Sequence, residues 1–226
     1  MKKEKNKEKR MKINKIILPI IAALGLVTFS IGQVIPGDSS SYPSIRINNS
    51  PHNLNNYPGI NIPGNQICLP CHIPHNAQAP EAGQRNLLWN HAATNQTFVM
   101  FSSSAGQPQG TSKLCLSCHD GVTAIDSYGG TIGNTTITGT ANLGTDLSND
   151  HPIGVEYPTT RIGQSWNSPD TFGPGINGSS GIRLVTVNGV KRVECNSCHN
   201  PHNNGLGNFL RVPIQQSYLC LQCHIK

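Results

Sequence analysis

The chain has 226 residues and a formal net charge of +6, with 17 Lys or Arg against 11 Asp or Glu. Aromatic residues make up 5 % of it, while Gly and Pro number 23 and 16, a composition too poor for a large apolar core. The basic excess lies before residue 33; residues 33–226 hold nine basic and nine acidic side chains, which removes the electrostatic argument for a nucleic-acid partner.

Residues 1–15 carry eight Lys or Arg and two Glu, followed by the apolar run 16–29 and the small residues Ser30 and Gly32. That order is a secretory signal peptide, residues 1–32, cleaved after Gly32. A membrane anchor fits less well, because a spanning helix needs about 20 apolar residues and this run is interrupted by Pro19 and Gly25. Met11 also opens a segment sufficient as a signal by itself. No cysteine precedes Cys68, so a lipid anchor at the cleavage site is not expected. No later apolar run is long enough to span, and residues 33–226 read as one secreted, soluble domain.

All eight cysteines fall in four copies of Cys-x-x-Cys-His: Cys68, Cys71 and His72; Cys115, Cys118 and His119; Cys195, Cys198 and His199; Cys220, Cys223 and His224. Paired Cys-x-x-Cys alone suits structural zinc, a disulfide or a redox dithiol. None of these needs a histidine directly after the second cysteine, and here every pair has one although histidine occurs only nine times. The spacing is that of covalent c-type haem attachment, in which two thiols add across the haem vinyl groups and the imidazole ligates iron. Four motifs predict four covalently attached haems. Their propionates would make the loaded protein acidic, and the macrocycles would form much of its core.

The expected fold is a multihaem cytochrome c: mostly irregular and loop-rich, with short helices and a small β-hairpin, wrapped around the four haems. Short helical turns should carry the motifs. Residues 102–111 and 129–150, rich in Gly, Ser, Thr and Asn, read as strands or open loops, with no basis for choosing. Residues 183–193 alternate β-branched side chains about Asn188-Gly189, which predicts a type I′ hairpin leading into Cys195. A modest helix is expected over residues 213–223. Matches to Asn-x-Ser/Thr carry no weight in so polar a chain.

The sixth iron ligand separates electron transfer from catalysis. After residue 32 there is one methionine, Met100, so at most one iron could be His/Met ligated from within the chain. Five histidines lie outside the motifs: His52, His75, His91, His151 and His202. His75 and His202 each follow a motif histidine by three residues, across a proline that bends the chain toward a neighbouring iron. His151 precedes Pro152, which keeps its backbone extended, and His52 follows Pro51 on an Asn-rich arm. These four are the expected distal ligands, and His91, beside Trp89 and Asn90, reads as a packed or exposed polar residue. Bis-histidine ligation throughout implies low potential.

The phrases Cys68-Leu69-Pro70-Cys71-His72-Ile73-Pro74-His75, Leu88-Trp89-Asn90, Lys113-Leu114-Cys115-Leu116-Ser117-Cys118-His119-Asp120-Gly121, Asp150-His151-Pro152 and Cys195-Asn196-Ser197-Cys198-His199-Asn200-Pro201-His202 resemble the doubled Cys-x-x-Cys-His multihaem cytochromes. Four motifs at this length look most like the OmcE-type tetrahaem cytochromes that polymerise into extracellular filaments. The resemblance implies His52, His75, His151 and His202 as distal ligands, haem pairs alternately stacked and T-shaped, and subunits joined so that haems run continuously. It also implies that one iron can take its distal imidazole from the next subunit, for which His52 on its N-terminal arm is the candidate. Expected partners are other copies of the chain, other cytochromes and extracellular electron acceptors. The competing readings are a monomeric periplasmic or surface electron carrier and a multihaem reductase; the latter needs an open iron position, against which the surplus histidines argue.

Overall fold

The computed structural model describes residues 46–81, 87–175 and 181–226, all within the unit Pro36–Lys226. The expected signal peptide, residues 1–32, lies outside the described residues. Regular structure is sparse: Val99–Met100 (β1), Gly110–His119 (α1), Asp146–Leu147 (β2), Val155–Glu156 (β3), Val185–Val187 (β4), Val190–Val193 (β5), Cys195–Cys198 (α2) and Tyr218–Leu221 (α3), joined by loops and single 3-10 turns. The architecture is loop-rich with short helices and small sheets, as the composition implies. Among the described residues no helix is long and apolar enough to cross a membrane.

β4 and β5 pair antiparallel about Asn188 and Gly189, whose φ values of 50° and 82° are the two positive angles a type I′ turn requires. β3 adds to the outer side of β5, in the order β3-β5-β4. The Gly- and Thr-rich stretch 129–150 is mainly open loop, but Asp146 and Leu147 form β2, parallel to β1. Residues 102–109 are loop, and the helix α1 starts at Gly110 rather than at the second motif itself. The helix expected over 213–223 is shorter, a 3-10 turn at Gln215–Ser217 followed by α3, because Gln216 and Ser217 adopt positive φ.

A small apolar cluster of Phe98, Leu116 and Leu147 packs beneath α1, with Met100 and Ile153 against it. Leu116 is fully buried beside the motif thiol Cys115, so α1 gives one face to the core while carrying the second motif. Loss of so buried a leucine costs about 2–5 kcal/mol. Met100 is thereby a packing residue of this cluster. The helix ends at Asp120-Gly121: Gly121 has φ 70°, and a Cβ there would fall 2.3 Å from the Asn142 side chain. Glycine is the residue that meets both demands.

Candidate haem-binding site

Each motif is wound into a single turn. The histidine N–H donates to the first cysteine's carbonyl in His72 to Cys68 (2.8 Å), His199 to Cys195 (3.1 Å) and His224 to Cys220 (2.9 Å), and α1 supplies the same turn at Cys115 and His119. Three motifs are then clasped by a second segment through the same ladder. At the first, Ile73 donates to Leu88 and Asn90 to Cys71; at the third, Asn200 donates to Phe209 and Arg211 to Cys198; at the fourth, Ile225 donates to Ser165 and Asn167 to Cys223. His72 bridges Trp89, His199 bridges Leu210, and His224 bridges Trp166 at the middle of the three clasps. Leu88 and Phe209 hold equivalent places, and both have positive φ (53° and 55°), a strain of about 1–2 kcal/mol for a residue with a Cβ.

At the first and third motifs the carbonyl just before that strained residue meets the histidine. His72 Nδ1 lies 2.6 Å from Leu87 O and His199 Nδ1 2.7 Å from Asn208 O; at the second motif Ala141 O does the same for His119 Nδ1 at 2.7 Å. A carbonyl can only accept, so Nδ1 carries the proton and Nε2 is left with its lone pair free to bind metal. These carbonyls were not legible in the sequence, because a backbone acceptor has no residue-type signature.

The histidine rings come together in twos. His72 and His202 have ring centres 6.1 Å apart, His52 and His119 6.2 Å, and His151 and His224 6.5 Å. Two imidazoles bound axially to one iron stand about 6.2 Å apart, from metal–nitrogen bonds of about 2.0 Å and about 1.1 Å from nitrogen to ring centre. A pair of rings at this separation suits two imidazoles on one haem iron. Among the described residues no three His, Cys, Asp or Glu side chains gather at one point as a zinc site requires. Beside the first motif an apolar cleft of about 470 Å³ is lined by Ile67, Cys68, Leu69, His72, Ile73 and Leu88. The residues present therefore suit covalently held haem.

The sequence-expected residues fall as follows. His202, three residues after His199, reaches across to His72, as its proline-bent phrase implies. His151 faces His224, which also packs on Trp166 with ring centres 4.5 Å apart. Within this chain His52 faces His119; its ring stacks on Phe209 at 4.1 Å and its Nδ1 lies 3.2 Å from Pro201 O. These contacts to residues 201 and 209 join the arm to a segment far along the chain. His75 and His199 are exposed, and among the described residues neither ring meets another imidazole. His91 is buried at 1 % exposure.

The thiols of successive motifs are neighbours. Cys71 neighbours Cys118, Cys115 neighbours Cys195, and Cys198 is close to Cys223 and Cys220. Ser112 Oγ of α1 accepts from Cys195 N at 2.9 Å and locks the second motif to the third. Burial pushes the Cys71 and Cys198 thiols up to about 11 and raises Cys118 as well, so these groups stay protonated at neutral pH.

Burial likewise lowers His52 to about 4, which keeps the imidazole neutral as a metal ligand must be. The unfolded chain takes this proton near pH 6.5, so as pH falls from about 6.5 toward 4 the unfolded state gains protons first and stability declines.

A family model described as the doubled CXXCH motif matches residues 188–226, which contain the third and fourth motifs. No curated protein matches the chain. The family match supports a multihaem c-type cytochrome and, with the ring pairs, a haem-binding electron-transfer role.

Proposed function

We propose that this chain is a tetrahaem c-type cytochrome that carries electrons outside the cytoplasm and polymerises into a conductive filament with a continuous row of haems. The observation that carries the electron-transfer reading is the three imidazole pairs at 6.1–6.5 Å. Haem is bound through Cys68 and Cys71, Cys115 and Cys118, Cys195 and Cys198, and Cys220 and Cys223, with His72, His119, His199 and His224 as proximal ligands. Distal ligands are His202 opposite His72, His52 opposite His119, and His151 opposite His224. His75 serves the iron of His199, the reciprocal of the His202 contact in a phrase built the same way.

The bound group supplies one-electron iron chemistry. The chain would supply imidazoles to hold each haem iron, with His72, His119 and His199 kept in one tautomer by backbone carbonyls, and would leave no iron position for substrate. Such a site transfers electrons rather than catalysing a reaction. Thiols of successive motifs are neighbours, which supports haems that would follow the order first, second, third, fourth. Cys68 and Cys220, in the first and last motifs, are the exposed thiols, which favours continuation of the row into another copy or onto an external acceptor. Secretion rests on residues 1–32.

Electron microscopy of haem-loaded protein from its native cell, with light scattering in solution, tests polymerisation. Ordered filaments with an unbroken haem row are expected. A monodisperse monomer overturns the filament and leaves a diffusing electron carrier.

A further inference from the structure

The chain has two tryptophans, each followed by asparagine, and both dipeptides lie against a motif histidine: Trp89-Asn90 at the first motif and Trp166-Asn167 at the fourth. The two places share their hydrogen bonds. Asn90 N donates to Cys71 O (3.0 Å) and Asn90 Nδ2 to Leu69 O (2.7 Å); Asn167 N donates to Cys223 O (2.9 Å) and Asn167 Nδ2 to Leu221 O (2.8 Å). At the third motif Arg211 stands in the same position, its backbone N on Cys198 O and its Nε on Asn196 O, both at 2.8 Å. Each of the three residues meets the second cysteine with its backbone and the residue after the first cysteine with its side chain.

The second motif shows why a side chain is needed elsewhere. There α1 runs through the motif, and the carbonyl after the first cysteine, Leu116 O, accepts from Asp120 N at 2.9 Å as an ordinary helical bond. In the other three the chain leaves the turn at the histidine: His199 has φ −108° and ψ 142°, and His72 and His224 form β-bridges. The helical donor is lost, and the orphan carbonyl takes its partner from a second segment. At the first and third motifs that segment also carries, three residues earlier, the carbonyl that accepts from the histidine Nδ1, Leu87 O and Asn208 O. At the fourth it places the Trp166 ring on His224, with ring centres 4.5 Å apart. One piece of chain therefore grips both the turn and the ligand ring.

We propose that Asn90, Asn167 and Arg211 are positioning residues for the proximal histidines, each side chain holding its motif turn in register with the segment that orients the imidazole. At the first haem this keeps Leu87 O on His72 Nδ1, which raises the basicity of the ligating nitrogen and favours ferric iron. The inference rests on the haem-binding reading.

The test is proton nuclear magnetic resonance of the full haem-loaded chain, with the methyl signals of each haem followed through a redox titration. Asn90→Leu removes the amide at similar size, Asn90→Gln keeps an amide donor, and Asn167→Leu repeats the loss at the fourth motif. In Asn90→Leu the ferrous-to-ferric ratio of the first haem at a fixed potential is expected to rise about fivefold, the factor that one hydrogen bond of about 1 kcal/mol carries. The third and fourth haems should not change, and Asn90→Gln should recover most of the shift. Asn167→Leu should move the methyl signals of the fourth haem and leave those of the first in place, which reads the proposal independently if Asn90→Leu does not mature. An unmoved first haem in Asn90→Leu, an equal shift at all four haems, or a glutamine variant no better than leucine overturns the proposal, as does an unmoved fourth haem in Asn167→Leu. Absence of covalent haem from the wild type would instead sink the haem-binding reading itself.

Discussion

Replacing His202 with alanine is expected to turn one haem in four five-coordinate, high-spin and able to bind carbon monoxide. The ring of His202 stands 6.1 Å from that of His72, and no other imidazole among the described residues shares that contact. Its removal leaves the iron proximal to His72 open while His52 and His151 still oppose their own partners. Carbon monoxide difference spectra of the reduced protein measure the effect: no binding in the wild type, and about a quarter of the haem in the variant. Full low-spin character in His202→Ala would break the assignment. Because His202 is exposed on a turn rather than packed in the core, the fold should persist and the change should stay local.

Asp120→Ala should cost on the order of 3 kcal/mol, the cost of leaving several buried donors unsatisfied. Asp120 follows the ligand His119 and is 1 % exposed. Its carboxylate accepts from Thr94 Oγ1 (2.6 Å), Val122 N (2.9 Å), Thr123 N (2.7 Å) and Thr123 Oγ1 (2.8 Å). Burial by itself would raise its pKa; the hydrogen bonds from Thr94, Thr123 and Val122 outweigh it and hold the carboxyl below the usual range. The stabilisation is therefore present above the unfolded carboxylate value of about 3.9 and is lost as pH falls through the lower folded value. Urea unfolding of the variant at neutral pH gives the magnitude. Because the same carboxylate anchors the loop after α1, the variant should also loosen the carbonyl of Ala141 from His119, which broadened spectra of the second haem would report. A variant as stable as the wild type would contradict the role given to this network.

The parts legible in the sequence are those in which a residue type does the chemistry at fixed spacing. The Cys-x-x-Cys-His turns are of this kind, as is the Asn188-Gly189 hairpin, since a type I′ turn demands two positive φ angles and these residues supply them. The low aromatic content foretold a small apolar cluster and long loops. What escaped is carried by the backbone or by distance along the chain. Leu87, Ala141 and Asn208 act through carbonyls that any residue possesses, and the clasps place residues 88–90, 165–167 and 209–211 against motifs from both sides in sequence. The partners of His52 within the chain escaped because Pro201 and Phe209 lie about 150 residues away. The conformation of 102–111 and 129–150 was undecided, since Gly, Ser and Thr suit a strand or a turn and only tertiary pairing selects between them. His91 was read as packed or exposed polar; burial is what the structure adds, and its contact with Cys118 spans 27 residues of chain.

The most direct test of the central claim is electron paramagnetic resonance of the oxidised, haem-loaded chain, quantified per polypeptide. The account predicts four low-spin ferric haems with bis-histidine signatures and no high-spin component. A substantial high-spin signal, or a haem with methionine ligation traced to Met100, would contradict it.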